Sequence, residues 1–106
     1  MNNFLLVFTG GGMPESEEEQ AKVMKAWEDW YVELGDAVVD PGNPTGPVAK
    51  TIVPGGNVSE GPDGTMATGY SILTADSLDS AVSLAKGCPM LDGGGNITVY
   101  EIVPAM

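Results

Sequence analysis

The alternation of apolar and polar segments along the chain predicts strands and helices in the order β-α-β, an insert, and β-α-β. Apolar runs of strand length are separated by two segments of helical periodicity and by clusters of glycine and proline. The predicted strands are residues 4–8, 37–40, 66–74 and 97–103, with a short edge strand over 48–53 in the insert. The predicted helices are about 17–34 and a shorter segment that Asp76 caps and that Gly87 and Pro89 end.

The first helix has clear start and stop signals. Ser16 and Glu19 have the spacing of a capping box, and Gly35 is suited to a helix C-terminus. Between them, the residues of the predicted inner face recur at helical spacing: Val23, Met24, Trp27, Trp30, Tyr31 and Leu34. The helix is therefore predicted to place an aromatic-rich face against a sheet.

The third main strand and the second helix are rich in small residues. One side of the strand has Met66, Thr68, Tyr70 and Ile72, and the other has Ala67, Gly69 and Ser71. A glycine inside a strand, here Gly69, often marks a bulge or the close approach of a ligand or another backbone segment. The predicted inward face of the second helix consists of Leu78, Ala81, Val82 and Ala85. Its small side chains predict a helix that lies close to the sheet.

Two β-α-β units predict an α+β fold of the ferredoxin-like type, βαβ(β)βαβ, in a single domain over residues 1–106. Both helices then lie on one face of an antiparallel sheet, and the other face stays uncovered. Strands that are apolar on both sides need a second layer, which a second copy of the chain can supply. We therefore expect a homodimer in which two sheets pack face to face.

The charge balance excludes two classes of partner. The 106 residues include 15 acids, four lysines, no arginine and no histidine, for a net charge of −11. No basic stripe can be assembled from so few cations, so we expect no nucleic-acid binding and no attraction to anionic membranes. The N-terminal apolar run is too short for a signal core or a membrane span, and the single Cys88 allows no internal disulfide. The expected location is cytoplasmic.

Few residue types remain for chemistry at a site. Without histidine, a metal site would have to be built from carboxylates, and no suitable spacing of acids is present, so neither a metal nor a cofactor is predicted. Three glycines follow the first strand, but the lysine and hydroxyl residue of a phosphate-binding loop are missing. Cys88 follows a predicted helix C-terminus, where the helix dipole raises a thiol pKa, and is interpreted as a packed side chain.

The candidate ligand-binding residues are carboxylate and aromatic groups next to the predicted sheet. Asp40 ends a strand, precedes Pro41 and faces the insert, where a pocket would open; as an alternative, it only forms the turn. Trp27 lies on the inner helix face with Trp30 and Tyr31. Tyr70 and Tyr100 lie on strands, from which they could line the same cavity. For each aromatic residue, packing in the core or in a dimer is the alternative.

A series of short motifs runs from Glu60 to Pro104. In chain order they are Glu60-Gly61-Pro62, Gly69-Tyr70, Ser77-Leu78-Asp79-Ser80-Ala81, Cys88-Pro89, and Gly95-Asn96-Ile97-Thr98-Val99 with Pro104. Their order and spacing resemble the DGPF branch of the YCII-related family. The resemblance implies the dimeric α/β-barrel fold.

The resemblance transfers no catalytic residue. Members of the YCII branch use a His–Asp pair, with the histidine early in the first helix and the aspartate beside the proline after the second. This chain has no histidine, and Cys88 stands before Pro89. The turn that names the branch is altered as well, with Glu60 in place of its aspartate and Asp63 in place of its phenylalanine.

Two hypotheses about function follow. The first is a dimeric module, non-catalytic or regulatory, that binds a small apolar or aromatic molecule or pairs with another protein. The alternative is a cofactor-independent lyase, isomerase or monooxygenase that uses Asp40 and a tyrosine on a small aromatic or enolic substrate. The alternative rests on what other dimeric α/β barrels do, which is an analogy of fold.

Overall fold

The computed structural model describes residues 1–105. Its elements, in chain order, are β1 (Asn2–Gly10), α1 (Glu17–Leu34), a 3₁₀ turn (Gly35–Ala37), β2 (Val38–Asp40), β3 (Lys50–Ile52), β4 (Val58–Glu60), β5 (Ala67–Ala75), α2 (Leu78–Ala85), α3 (Pro89–Asp92) and β6 (Gly95–Ile102). The predicted order of strands and helices is confirmed. Two short elements, β4 and α3, were not predicted.

The main sheet has four antiparallel strands in the order β2-β5-β1-β6. The central strand β1 pairs with β5 on one side and with β6 on the other over nearly its whole length. Each β-α-β unit thus places its last strand beside the first strand of the other unit. This arrangement confirms the predicted ferredoxin-like fold.

The hydrophobic core lies between the sheet and the helices. Phe4, Leu6 and Phe8 of β1 point to this covered face and are buried, and Leu73 of β5 lies beside them. Above the sheet, the buried residues are Trp30 of α1 and Ala81 and Ala85 of α2. The alanines let α2 lie close to the strands, as their size predicted.

The opposite face of the sheet, here called the open face, is covered by no element of the chain from Met1 to Ala105. Residues directly opposite each other in an antiparallel pair share a face. The pairing therefore assigns to the open face Asn3, Leu5, Val7, Thr9, Tyr70, Ile72, Thr74, Asn96, Thr98, Tyr100 and Ile102. None of these side chains is charged. On β1, β5 and β6 the open face is therefore uncharged and mixes apolar with hydroxyl and amide side chains, while on β2 Asp40 pairs with Ile72 of this face at an irregularity in register.

The first helix has the predicted bounds. The Ser16 hydroxyl accepts a hydrogen bond from the Glu19 backbone N–H at 3.1 Å. Gly35 ends the helix at φ 56°, a conformation that glycine adopts readily. Trp27, Trp30 and Tyr31 lie on the inner face as predicted, whereas Met24 is exposed. No helix within residues 1–105 is long and apolar enough to cross a membrane.

The second helix differs from its prediction in two respects. Its N-cap is Ser77, which accepts from the Ser80 backbone N–H at 3.1 Å, and not Asp76. The serine lies at the position from which a side-chain oxygen reaches the third N–H of the helix. Only Ala81 and Ala85 of the predicted inward face are buried, while Leu78 and Val82 remain 48% and 36% exposed. These two residues lie over β6, at the edge of the sheet.

The insert forms a separate hairpin. Its predicted edge strand is β3, which pairs with β4 in a two-stranded sheet of its own. The turn between them is closed by hydrogen bonds from Gly56 N–H to Val53 O and from Val53 N–H to Asn57 O, both 2.9 Å. Three-residue strands are too short to show a hydrophobic period, which explains why β4 was missed.

Gly69 lies where two backbone segments approach each other, as its position in a strand predicted. The pairing of β1 with β5 shifts register between Phe8 and Thr9, opposite Gly69. On its other side, Gly69 bridges to Pro44 of the insert. A Cβ at this position would lie 3.2 Å from the Asn43 carbonyl oxygen.

Candidate functional site

Two hydroxyl groups and one carbonyl group meet between α1 and β5. The Ser71 hydroxyl donates to the Pro41 carbonyl oxygen at 2.7 Å, and the Tyr31 hydroxyl donates to the same oxygen at 3.0 Å. The two hydroxyl oxygens are 2.9 Å apart. Either hydroxyl can also donate to the other, and the oxygen of the half-buried Tyr31 keeps a lone pair that can accept a further hydrogen bond.

Ser71 is the buried polar residue of the covered face, with 0% exposure. A buried hydroxyl without a partner would be costly, and here Tyr31 and Pro41 satisfy it. Tyr31 itself is half-buried and links this polar group to the surface. The three groups therefore form a satisfied network with one accessible member.

The loop after β2 holds the Pro41 carbonyl in place. The Asp40 carboxylate accepts a hydrogen bond from the Gly42 N–H at 2.8 Å, which forms a tight turn around Pro41. Gly42 has φ 74°, and a Cβ there would lie 1.8 Å from the Tyr70 carbonyl oxygen. The Tyr70 N–H in turn donates to Asn43 O at 3.2 Å. Only glycine allows the loop to lie this close to β5.

An aromatic cluster flanks the hydroxyl pair. The Trp27 ring lies edge-on to Phe8, with centroids 5.3 Å apart, and 5.9 Å from the ring of Tyr31. Trp30 packs against Tyr31 at 5.1 Å and donates its indole N–H to Leu84 O at 3.3 Å. Trp30 is buried, but Trp27 and Tyr31 are half-buried. The cluster thus has a fixed inner part and an accessible outer part.

Burial keeps the Tyr31 phenol and the Cys88 thiol neutral. Desolvation raises the pKa of the Tyr31 phenol, and the nearby Asp40 carboxylate raises it further, against a smaller lowering by the Ser71 hydrogen bond. Desolvation likewise raises the pKa of the Cys88 thiol to about 11. Cys88 is 2% exposed and therefore a protonated, packed thiol at neutral pH. The predicted direction of its shift is confirmed, but burial is the main cause.

The structure brings two of the four predicted site residues together. Trp27 and Asp40 both flank Tyr31. Tyr70 and Tyr100 lie on the open face, opposite Val7 and Leu5, on the other side of the sheet. Sequence analysis missed Ser71. A lone serine on the apolar side of a strand was the available signal.

Two surface grooves lie away from this cluster. One, of about 300 Å³, lies between the base of the hairpin and β5 and is lined by Thr45, Gly46, Val48, Ala49, Pro62, Thr65, Met66 and Ala67. The other, of about 340 Å³, lies between α2 and β6 and includes Leu78, Val82, Leu91, Ile97 and Val99. In the part of the chain that the structure describes, no three His, Cys, Asp or Glu residues are grouped to hold a metal ion.

The fold is similar to that of a solved structure over nearly the whole length of both chains. It is similar to 5-chloro-2-hydroxyhydroquinone dehydrochlorinase from Burkholderia phenoliruptrix, solved in complex with 2,5-dihydroxybenzoquinone. The TM-score is 0.58 at 18% sequence identity, and the match covers 97% of this chain and 95% of that chain. No family model matches the chain, and no curated protein matches it significantly. The two proteins share a fold.

Proposed function

We propose that the protein binds a small hydroxylated aromatic molecule at the site formed by Trp27, Tyr31, Asp40, Pro41 and Ser71. The observation that carries this proposal is the pair of hydroxyls directed at the Pro41 carbonyl beside the half-exposed Trp27. A planar ring would stack on the accessible aromatic side chains. A hydroxyl on that ring would donate to the free lone pairs of the Tyr31 oxygen.

The neighbour of similar fold supports this ligand class. It was solved with 2,5-dihydroxybenzoquinone, a planar ring with two hydroxyl groups. Because the pKa values of Tyr31 and Cys88 are raised, neither group serves as a general base near pH 7, and Asp40 is left as the base that an enzyme would use here. Histidine, the usual side chain for that task, is absent from the chain.

We also propose membership of the YCII-related family and assembly into a homodimer through the open face. The motif series from Glu60 to Pro104 and the shared fold over 97% of the chain support the family. The absence of charged side chains from the open face of β1, β5 and β6 supports the dimer, because a contact between these strands brings no like charges together in a chain of net charge −11. Tyr70 and Tyr100 then serve in the dimer interface.

Titration calorimetry with a panel of neutral hydroxybenzenes, such as phenol, catechol and hydroquinone, tests the binding proposal. We expect saturable binding, weakened about 3- to 10-fold in Tyr31→Phe, since one neutral hydrogen bond is worth about 0.5–1.5 kcal/mol. The matched control is Tyr100→Phe on the open face, which should bind like the wild type. Absence of saturable binding across the panel, or equal weakening in both variants, would contradict the proposal.

The enzymatic alternative has one observation in its favour. The Tyr31 hydroxyl donates to the carbonyl oxygen of Pro41, the residue after Asp40, at 3.0 Å, so the phenol and the carboxylate lie in one region and could act on one substrate. Mass spectrometry of the same ligand panel after incubation tests this hypothesis. Turnover that is lost in Asp40→Asn, while the dimer stays intact, would replace the binding-only proposal with an enzyme.

A further inference from the structure

The two edges of the main sheet differ in their protection. At one edge, β2 has three residues and an irregular register with β5. The insert continues along β5 through the Pro44–Gly69 bridge and a hydrogen bond from Thr45 N–H to Thr68 O at 3.0 Å. A short and irregular edge of this kind is a poor template for a further strand.

Strand β6 forms the other edge and lacks such protection. It pairs with β1 over its eight residues, Gly95–Ile102, without a shift in register. No proline or lysine interrupts it, and its one charged residue is Glu101. Within residues 1–105, no strand pairs with its outer side. An edge of this length and regularity offers backbone N–H and C=O groups to a further strand.

The groove between α2 and β6 lies along this edge and is largely apolar. Leu78 and Val82 of α2 and Leu91 of α3 line one side of it, and Leu91 is 41% exposed. Ile97 and Val99, on the covered face of β6, line the other side. Alternate side chains of a strand point to the same face of a sheet. A strand paired with β6 would therefore place every second side chain against this groove.

Two unpaired charges indicate which strand fits. Lys86 lines the groove and forms no ion pair within residues 1–105. The other three lysines each pair with an acid: Lys22, Lys25 and Lys50. Glu101 is exposed, lies on the covered face opposite Phe4, and has no lysine partner among the described residues. A cation beside the edge and a carboxylate on the edge are complementary between two copies of this chain.

Symmetry and charge together select the register. Residues directly opposite each other share a face, so two β6 strands with their helices on the same side are related by a two-fold axis through one residue. An axis through Thr98 pairs residues 95–101, and an axis through Val99 pairs residues 96–102. The axis through Val99 places Glu101 of one copy opposite Ile97 of the other, in the groove that Lys86 lines.

From these observations we infer that β6 pairs antiparallel with β6 of a second copy about a two-fold axis at Val99. The two four-stranded sheets then form one continuous sheet. Lys86 of each copy pairs with Glu101 of the other, and Leu78 and Val82 of both copies pack over the junction. This contact uses neither the open face nor the proposed ligand site and is independent of both. Together with the proposed dimer through the open face, it would give a tetramer.

A charge exchange between full-length variants tests the inference. Lys86→Glu alone and Glu101→Lys alone each bring like charges together at both ends of the paired strands. In a mixed pair of the two variants, both contacts join opposite charges. Sedimentation equilibrium should show a dissociation constant for this step raised at least about tenfold in each variant alone and restored to within about threefold of the wild type in the equimolar mixture.

The matched control is Lys25→Glu with Asp29→Lys, an exposed pair on α1. These variants have the same two net charges, so they account for general repulsion, and each should associate like the wild type. Variants at Lys86 and Glu101 that associate like this control, or whose mixture shows no recovery, would overturn the edge contact. The open-face dimer and ligand binding would be unaffected. A wild type that stays monomeric would overturn pairing between copies and leave the edge for a strand of another protein.

A cysteine at the proposed axis provides an independent measurement. Residues directly opposite in an antiparallel pair have Cα atoms about 4.5–5.5 Å apart, within the range of a disulfide. Oxidised Val99→Cys should therefore form a covalent dimer on a non-reducing gel. Ile97→Cys is the control on the same face, because its two copies would lie about 13 Å apart. The native Cys88 is 2% exposed and stays outside the reaction. No cross-link in Val99→Cys, or equal cross-linking in both variants, would contradict the pairing.

Discussion

The two faces of the main sheet are made from alternate residues of the same strands, yet they end in different surroundings. On β1, Phe4 and Leu6 are fully buried under the helices, whereas Leu5 and Val7 between them lie on the half-exposed open face. On β6, Tyr100 of the open face is 55% exposed. An apolar pattern on both sides of a strand therefore predicts two buried faces, while the helices of one chain cover only one.

The two faces also differ in their polar side chains and in the hydrogen bonds that these side chains make. The covered face contains Ser71, and its hydroxyl is satisfied within the chain by Tyr31 and Pro41. On β1, β5 and β6 the open face carries several hydroxyl and amide side chains but no charge. A hydroxyl inside the core marks a specific network. The uncharged side chains on these strands of the open face are suited to contact with another uncharged surface.

The largest expected effect comes from removing the same side chain on the two faces. Leu6→Ala should lower the free energy of unfolding by about 2–5 kcal/mol, because it leaves a cavity in the packed core. Leu5→Ala should cost about 1 kcal/mol or less in dilute protein, where the open face is solvated. Urea denaturation followed by tryptophan fluorescence measures both.

Protein concentration separates the two effects. The loss in Leu6→Ala should be the same at all concentrations, whereas the proposed dimer predicts that the loss in Leu5→Ala grows with protein concentration, since binding to the folded state adds stability. Equal losses for both variants in dilute protein would mean that the open face is as well packed as the covered face.

The fold could be predicted from sequence because its signals are long and repeated. Helix α1 shows helical periodicity from Val23 to Leu34, between the Ser16 N-cap and Gly35, and the strands of the main sheet keep their alternation. The site could not be predicted in full. Pro41 contributes only its backbone carbonyl, which no side-chain pattern reveals, and Ser71 meets Tyr31 only because the loop folds back at Gly42. The short β4 and α3 left too few residues for any period.

The next effect concerns Gly42, at the edge where the loop meets both the site and β5. Gly42→Ala forces a left-handed backbone onto alanine and places its Cβ 1.8 Å from the Tyr70 carbonyl oxygen. Strain of this kind costs about 1–3 kcal/mol, so the thermal midpoint should fall clearly. Gly46→Ala in the same loop is the matched control, because its Cβ would meet nothing within 4 Å. If the control loses as much stability, the loop is sensitive to any substitution.

A smaller effect compares one hydroxyl from each face. Ser71→Ala should cost about 1 kcal/mol, since it removes a buried hydrogen bond to Pro41. Thr74→Val on the open face removes an exposed bond of Thr74 to Asn2 O at 3.1 Å and should cost a few tenths of a kcal/mol. Both are measured by urea denaturation at one protein concentration. A larger loss for Thr74→Val would contradict the assignment of the faces.

The last effect is a pH dependence of the free energy of unfolding, caused by Cys88 in the core on the covered face. The pKa of the Cys88 thiol is raised by burial from 9.0 to about 11. Between these values the unfolded chain loses its proton before the folded chain does, so the unfolded state binds fewer protons and stability falls as the pH rises. The contribution is complete below pH 9 and gone above about pH 11.

Cys88→Ala should be less stable at pH 7, because a buried side chain is truncated, yet its stability should fall less steeply from pH 9 to 11. All other side chains are the same in both proteins, so the difference between the two slopes isolates the thiol. Parallel slopes would show that Cys88 is solvated in the folded chain.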